Sequence, residues 1–208
     1  GALEVGPAGG AYGTYVDLEG AAKNEQELIN KYREMATFPE CDQAIDDVIN
    51  EAVVTNREES PVSVSLEKSN LSDNIRESIK NEFTELIRLL DFRKVGYEMF
   101  RKWYVDGRLY YHIIIDDASK KKGIQELRYI DPRKIRKVRE NQKVRADNGV
   151  DLINKTVEFF VYNEKAAKPD SQVQEALKIL PDAIAYINSG LFDYKKNNSL
   201  SYLHKAIK

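Results

Sequence analysis

The stretch 92–140 is the part of this sequence that most constrains how the chain can fold. It begins with a segment of helical period that ends at the turn dipeptide Asp106-Gly107. Two runs rich in aromatic and β-branched residues follow, at 108–115 and 124–130, and a charged loop separates them. The stretch therefore predicts helix, turn, strand, loop and strand in that order, which makes a compact α+β unit.

Three further segments have the apolar spacing of amphipathic helices. The first covers about 24–37 and is broken by Pro39, and the second covers about 40–54. The third covers about 73–90, shows the strongest helical pattern in the chain, and has Ser72 as its N-cap. Its apolar residues are Ile75, Ile79, Phe83, Leu86, Ile87 and Leu90.

Shorter alternating segments predict the remaining strands. They lie at 62–66, at 156–162 and at 183–187, and turn residues stand at 147–149 and 188–190. Helices and strands are mixed along the chain without regular alternation, which is typical of the α+β class. We therefore predict amphipathic helices packed on a small mixed or antiparallel sheet.

The chain divides into a short arm, one main domain and the beginning of a further helix. Residues 1–23 start with a Gly-rich tract, and we expect a flexible arm there. Residues 24–200 form the main domain. Residues 201–208 are helix-like and have no stop signal. Together with a first residue that is Gly and not Met, this predicts a piece of a longer chain.

Charge is distributed unevenly along a sequence whose net charge is only −2. Residues 1–60 hold 13 acidic and 4 basic residues, hence −9, whereas residues 118–145 hold 11 basic and 3 acidic residues, hence +8. Two such blocks fit different partners, or each other in neighbouring copies. No apolar run approaches the roughly 18 residues of a membrane span, and we see no secretory signal in this sequence.

Residue types that hold metals or cofactors are sparse. The chain has one cysteine, Cys41, and two histidines, His112 and His204, which are too few and too far apart for structural zinc. Neither a nucleophile elbow nor a Gly-rich phosphate loop occurs. We therefore expect no catalytic residues, no metal and no cofactor.

A metal-dependent nuclease is a weak alternative. Asp170 and Glu175 precede Lys178, but two residues separate the second acid from the lysine where the common nuclease pattern has one. The same segment is also typical of a solvated helix.

A basic patch is the strongest candidate for a functional surface. Three of its lysines lie in the loop between the central strands, and five further basic residues follow Pro132. Such density binds phosphates without sequence preference, so the residues leave two possibilities open, a nucleic-acid-binding module and a subunit interface. The basic patch consists of Lys120, Lys121, Lys122, Arg133, Lys134, Arg136, Lys137 and Arg139.

Several motifs in order resemble the portal proteins of T-even-type contractile-tailed bacteriophages. The two most specific are FRKWYVDGR at 100–108 and GIQELRYIDPRKIRKVRE at 123–140, in which Lys102 and Gly107 depart from the family's usual pattern. The resemblance covers roughly 24–208. The supporting motifs are ELINKYREM at 27–35, DQAIDDVINEAVV at 42–54, FFVY at 159–162, AYINSGL at 185–191 and YLHKAIK at 202–208.

The resemblance implies a structural subunit of the virion and not an enzyme. Such portal proteins form a ring, usually of twelve copies, at one vertex of the head, and double-stranded DNA passes through its channel without sequence-specific contacts. The ring meets the major capsid protein, the large subunit of the terminase and the neck or head-completion proteins, and the terminase hydrolyses the ATP. The resemblance further implies that 24–200 is the N-terminal part of the wing domain and that 201–208 leads into the stem helix.

A ring also suggests a use for the two charge blocks. We expect the acidic N-terminal helices of one copy to lie near the basic 120–145 region of the next copy. Reversing the charges of Arg136 and Lys137 would then weaken assembly.

Overall fold

The structure is a computed structural model of the 208-residue chain. It describes residues 3–5, 18–53, 62–116, 118, 122–145, 151–164, 176–193 and 198–207, without the side chains of 3–5, 18–24, 139–145, 151–156 and 176. The helices in this part are α1 (Leu18–Met35), α2 (Pro39–Ala52), α3 (Asp73–Leu89) and α4 (Phe92–Asp106). The strands are β1 (Leu3–Val5), β2 (Arg108–Ile114), β3 (Glu126–Ile130), β4 (Ile135–Arg145), β5 (Asp151–Tyr162), β6 (Ala176–Ile179), β7 (Ile184–Asn188), β8 (Phe192–Asp193) and β9 (Asn198–Ser199).

The four predicted amphipathic helices, at about 24–37, 40–54, 73–90 and in the segment that begins at 92, are present. Helix α1 begins at Leu18, six residues before the predicted start at 24, and α2 begins at Pro39, as the helix-breaking proline indicates. Between α3 and α4 the backbone of Asp91 takes a φ of 47°, in the left-handed region. Asp tolerates this conformation better than most residues, and it separates the two amphipathic segments into two helices.

The strands form antiparallel sheets, and the α+β prediction is confirmed. One sheet has the order β3-β2-β7, a second has the order β1-β6-β5-β4, and β8 pairs with β9. All the pairings among the described strands are antiparallel. The long hairpin of β4 and β5 forms from the basic segment after Pro132; its predicted turn at 147–149 lies outside the described residues.

Three local predictions are wrong. Residues 62–66 alternate between half-buried and exposed, as predicted, but they form no strand. The segment around Lys178 is strand β6, where we expected a solvated helix. In the helix-like run at 200–208, the described residues up to 207 form only the 3₁₀ turn Tyr202–Ala206. In each case a short periodic pattern is compatible with more than one structure, and tertiary pairing decides between them.

Two hydrophobic cores hold the described residues together, one among helices and one between sheets. The helical core has its centre at Tyr32 of α1, whose hydroxyl lies 2.7 Å from Nδ1 of His204 and whose pKa is raised to about 12 by burial. The sheet core lies between the three-stranded and four-stranded sheets, where the ring of Tyr110 stacks on Tyr186 and meets Phe160 edge-on. None of the described helices is both long and apolar enough to span a membrane.

The junction of α4 and β2 joins the two cores. Gly107 ends α4 with a φ of 72°, and its carbonyl accepts a hydrogen bond of 2.9 Å from the N–H of Ser189. The next residue, Arg108, is 1% exposed and forms an ion pair with Glu25 of α1. Its guanidinium also donates to the carbonyl of Ser199. The junction therefore contacts α1, the turn after β7 and strand β9.

An ion-pair network connects α1 to the ends of α4 and β3. Arg33 binds Asp106 through two hydrogen bonds of 2.9 and 2.7 Å, and it binds Asp131 at 3.0 Å. Arg133 binds the same Asp131 at 2.8 Å. Asp106 is 1% exposed, so its charge depends on Arg33 for compensation.

The pKa values of the two carboxylates in this network shift in opposite directions. Burial raises the pKa of Asp106 above its ordinary value, and the hydrogen bonds with Arg33 recover only part of that shift. Burial also acts to raise the pKa of Asp131, but hydrogen bonds from Arg133 and Arg33 outweigh it, and the pKa is lowered. The hydrogen bonds with Asp106 raise the pKa of Arg33 further, so its positive charge is permanent.

We predict that Gly107→Ala destabilises the chain more than Gly190→Ala. Both glycines have a left-handed φ, of 72° and 77°, which costs an alanine about 1–2 kcal/mol. A Cβ on Gly107 would in addition lie well inside van der Waals contact with the backbone of Leu200, whereas a Cβ on Gly190 meets nothing within 4 Å. The extra loss should be at least about 1 kcal/mol, measured by urea denaturation. Equal losses in the two variants would contradict the close approach.

We predict that Asp106→Asn lowers the free energy of unfolding by about 2 kcal/mol, because it removes one of the two carboxylates that bind the half-buried Arg33 and leaves Asp131 as its partner. Glu85→Gln is the control, since it removes one partner of an exposed ion pair with Arg88 and should change stability little. Denaturant titration of both variants measures the difference. If the free energy of unfolding falls equally little in the two variants, the network does not stabilise the fold.

Candidate subunit interface

The structure divides the basic patch. Lys122 is exposed at the start of the segment that leads into β3, whereas Arg133 and Lys134 lie in the turn after β3. A five-residue strand spans about 17 Å, so β3 keeps Lys122 apart from the others. Arg136, Lys137 and Arg139 lie on β4. Lys120 and Lys121 are outside the described residues, as is the side chain of Arg139.

Arg133 is engaged within its own chain. Its guanidinium binds Asp131 and donates to Oδ1 of Asn30 at 3.2 Å, and its carbonyl accepts a hydrogen bond of 2.6 Å from Gln26. Both Asn30 and Gln26 belong to α1, so the acidic helix already packs against one end of the basic patch inside a single subunit. Arg133 therefore acts first as a link within the fold.

The basic residues of β4 lie on two faces of the hairpin. Lys137 forms an ion pair of 2.6 Å with Glu158 of β5. Consecutive residues of a strand point to opposite faces, so Arg136 and Lys137 lie on opposite faces of the sheet. The sequence indicated one continuous basic patch, whereas the structure shows two smaller basic surfaces.

The acidic helices α1 and α2 also divide into inward and outward charges. Arg101 of α4 binds both Asp42 and Asp46 of α2, the latter at 2.9 Å, so these two carboxylates serve the packing of α2 on α4. Five other carboxylates of α1 and α2 are exposed and face away from the chain. They are Glu27, Glu34, Glu40, Asp47 and Glu51.

Helix α3 presents a surface that sequence reasoning did not assign. The helix was predicted from its apolar stripe, but none of its residues is buried in the structure. Beside it, Val62 to Val64 and the helix line an open groove of about 550 Å³, with Phe83 and Ile87 on its helical wall. Because an apolar stripe of this strength is usually buried, its exposure marks this face of α3 as a candidate contact surface.

Catalytic chemistry finds no support among the described residues. No three His, Cys, Asp or Glu side chains in this part of the chain are placed to hold a metal ion. Of the nuclease candidates, Asp170 and Glu175 lie outside the described residues, and Lys178 sits on β6 with its ammonium 3.8 Å from the centre of the Phe159 ring. His112 is half-buried on β2, where burial lowers its pKa.

Comparison with known proteins gives a family. The family model described as bacteriophage T4-like portal protein (Gp20) matches residues 25–208. The portal protein of Vibrio phage KVP40 is 38% identical over 191 residues, which cover 88% of this chain and 37% of that protein. The portal protein of Salmonella phage ViI is 34% identical over 188 residues, which cover 85% of this chain and 34% of that protein.

The chain thus spans about a third of the length of these two relatives. The match runs through both central motifs, through α1 and α2, and through the ion-pair network of Arg33, Asp106 and Asp131. A family model that covers nearly the whole described structure, together with two relatives above 30% identity, is sufficient to assign the family of this chain. The chain belongs to the T4-like portal protein family of bacteriophages.

Proposed function

We propose that this chain is part of a structural subunit of a phage portal ring. The observation that carries the proposal is the family match over residues 25–208. The surface supports it: exposed acidic side chains lie on α1 and α2, whereas basic and apolar surfaces lie on β4 and α3. Two different, complementary surfaces on one subunit are what a head-to-tail, ring-forming contact requires.

The ring would stand at one vertex of the virion head and usually contain twelve copies. It would conduct double-stranded DNA during packaging and ejection, and it would bind the major capsid protein, the terminase large subunit and the neck proteins. The chain would have no catalytic role, since ATP hydrolysis belongs to the terminase. Residues 24–200 would then be the N-terminal part of the wing, and 201–208 would lead towards the stem.

The division of the basic patch favours this role over a free-standing nucleic-acid-binding module. A module of that kind needs a continuous basic surface along the phosphate backbone. Here Arg133 binds Asp131 and Asn30, Lys137 binds Glu158, and the two faces of β4 separate the rest. We further propose that the basic residues of β4 contact acidic side chains of a neighbouring subunit, with Glu27 and Glu34 on the outer face of α1 as partners.

We predict that the purified chain assembles into a discrete species many times heavier than its 23.8 kDa monomer. Light scattering over a range of protein concentrations and at low and moderate salt measures this. A monomer at every concentration that binds duplex DNA, with an affinity that falls steeply with salt, would favour the nucleic-acid-binding module instead.

We predict that the double variant Arg136→Glu/Lys137→Glu raises the concentration needed for assembly by at least about tenfold, because like charges across an interface are costly. The double variant changes both faces of β4. Arg128→Glu/Lys205→Glu makes the same change of charge at two exposed positions outside the basic patch and should assemble as the unmodified chain does. Light scattering of all three proteins is the measurement, and equal assembly would exclude the basic patch from the interface.

A further inference from the structure

Helix α3 exposes an apolar ridge along its length. Ile75, Ile79 and Leu86 are 49%, 36% and 39% exposed, and their spacing places them on one face. A helix of 17 residues is marginal in water without a packed apolar face. Within the described residues α3 packs only partly, against α4 and the 62–64 segment, so most of its stripe remains available to a partner.

The groove beside this ridge has apolar walls and a positive rim. Phe83 and Ile87 continue the apolar face of α3 into the groove. Three cationic residues and one anionic residue line the groove, which gives its rim a net charge of +2. These four charged residues are Lys80, Arg88, Asp91 and Arg93. Arg88 is already paired with Glu85, so Lys80 and Arg93 supply the charge for an incoming group.

The outer face of α2 has the complementary character. Asp47 and Glu51 follow Glu40 by seven and eleven residues, which places the three side chains within about 40° of one another around the helix. All three are exposed, and Val48 beside them is 39% exposed. This outer face is therefore acidic and has an apolar edge. The inward face of α2 carries Ile45 and Ile49 in the helical core.

We infer that the groove and ridge of α3 in one copy bind the acidic outer face of α2 in a second copy. The apolar edge at Val48 would cover the α3 stripe, and Lys80 and Arg93 would meet Asp47 and Glu51. The inference rests on the proposed ring function and names a pair of surfaces for it.

The arrangement is a helix-in-groove contact, in which an amphipathic helix lays one face along an apolar groove. Charge complementarity selects α2 as the occupant, because the positive rim of the groove disfavours a basic segment. The groove lies beside α3 and the acidic face lies on α2 of the same subunit, so the contact is heterologous. Each copy offers its α2 to one neighbour and its groove to the other. A chain of such contacts closes into a ring when the rotation permits.

Two charge-reversed variants test this contact. The first, Lys80→Glu/Arg93→Glu, makes the groove acidic. The second, Asp47→Lys/Glu51→Lys, makes α2 basic, and its lysines in the second half of the helix suit the helix dipole. Each variant alone sets like charges against like, so we expect each to need at least about tenfold higher concentration than the unmodified chain to assemble.

Mixing the two variants should restore assembly. The acidic groove of the first accepts the basic α2 of the second, and the unchanged α2 of the first fits the unchanged groove of the second. Copies then alternate around a ring with an even number of subunits. Light scattering of each variant and of their equimolar mixture measures this, and circular dichroism confirms that each is folded. Misfolding cannot imitate the rescue, since two misfolded proteins would not assemble on mixing.

The outcomes separate the contact from the ring function. If the unmodified chain assembles and either variant alone assembles equally well, the α2–α3 contact is wrong and the ring function stands. If both variants are folded and monomeric but the mixture stays monomeric, the contact is also wrong. If the unmodified chain itself never assembles, this contact is wrong, because both of its surfaces lie within the chain, whereas the family assignment is unaffected. The Arg128→Glu/Lys205→Glu variant should assemble normally, which shows that the effect depends on position.

Discussion

The fold depends on Arg33, because its guanidinium joins three elements that are distant in the sequence. It neutralises the buried carboxylate of Asp106 at the end of α4 and binds Asp131 immediately after β3. A buried carboxylate without a partner is strongly destabilising, so α1 must pack where Arg33 can reach both acids. That placement in turn brings Glu25 to Arg108 and Gln26 to the carbonyl of Arg133. The acidic N-terminal helix and the basic segment after β3 therefore meet first within one chain.

Some charged groups are paired within the fold, and the charged and apolar groups that remain exposed indicate which surfaces are free to contact other subunits. Asp42 and Asp46 serve Arg101, whereas Glu40, Asp47 and Glu51 on the same helix face outwards. The same division separates the apolar residues: α1, α2 and α4 fill a core, while the stripe of α3 stays open. A subunit of a homo-oligomer needs such a surplus, because its interfaces are made from groups that its own fold leaves uncovered.

Much of the secondary structure was predictable, and the errors have physical causes. The helices followed from apolar spacing, and Pro39 and Gly107 marked two boundaries because their backbones have special conformational limits. Residues 62–66 alternate as a strand does, but a strand requires a partner, and the described residues supply none. In the helix-like run at 200–208 the described residues form a 3₁₀ turn, at whose start the side chain of Ser201 accepts a hydrogen bond from the backbone N–H of Leu203.

By itself the sequence determined the α+β class, the order of the central elements and the family, because these depend on local spacing and on motifs that can be compared one by one. It could not determine the interface. The basic residues lie close together in the sequence, yet strand alternation and β3 divide them in space, and Arg133 is engaged by α1. An amphipathic stripe in the sequence also does not show which neighbouring element covers it. Only the tertiary structure decided that α1, α2 and α4 bury theirs and that α3 does not, because burial depends on neighbours that lie far away in the chain.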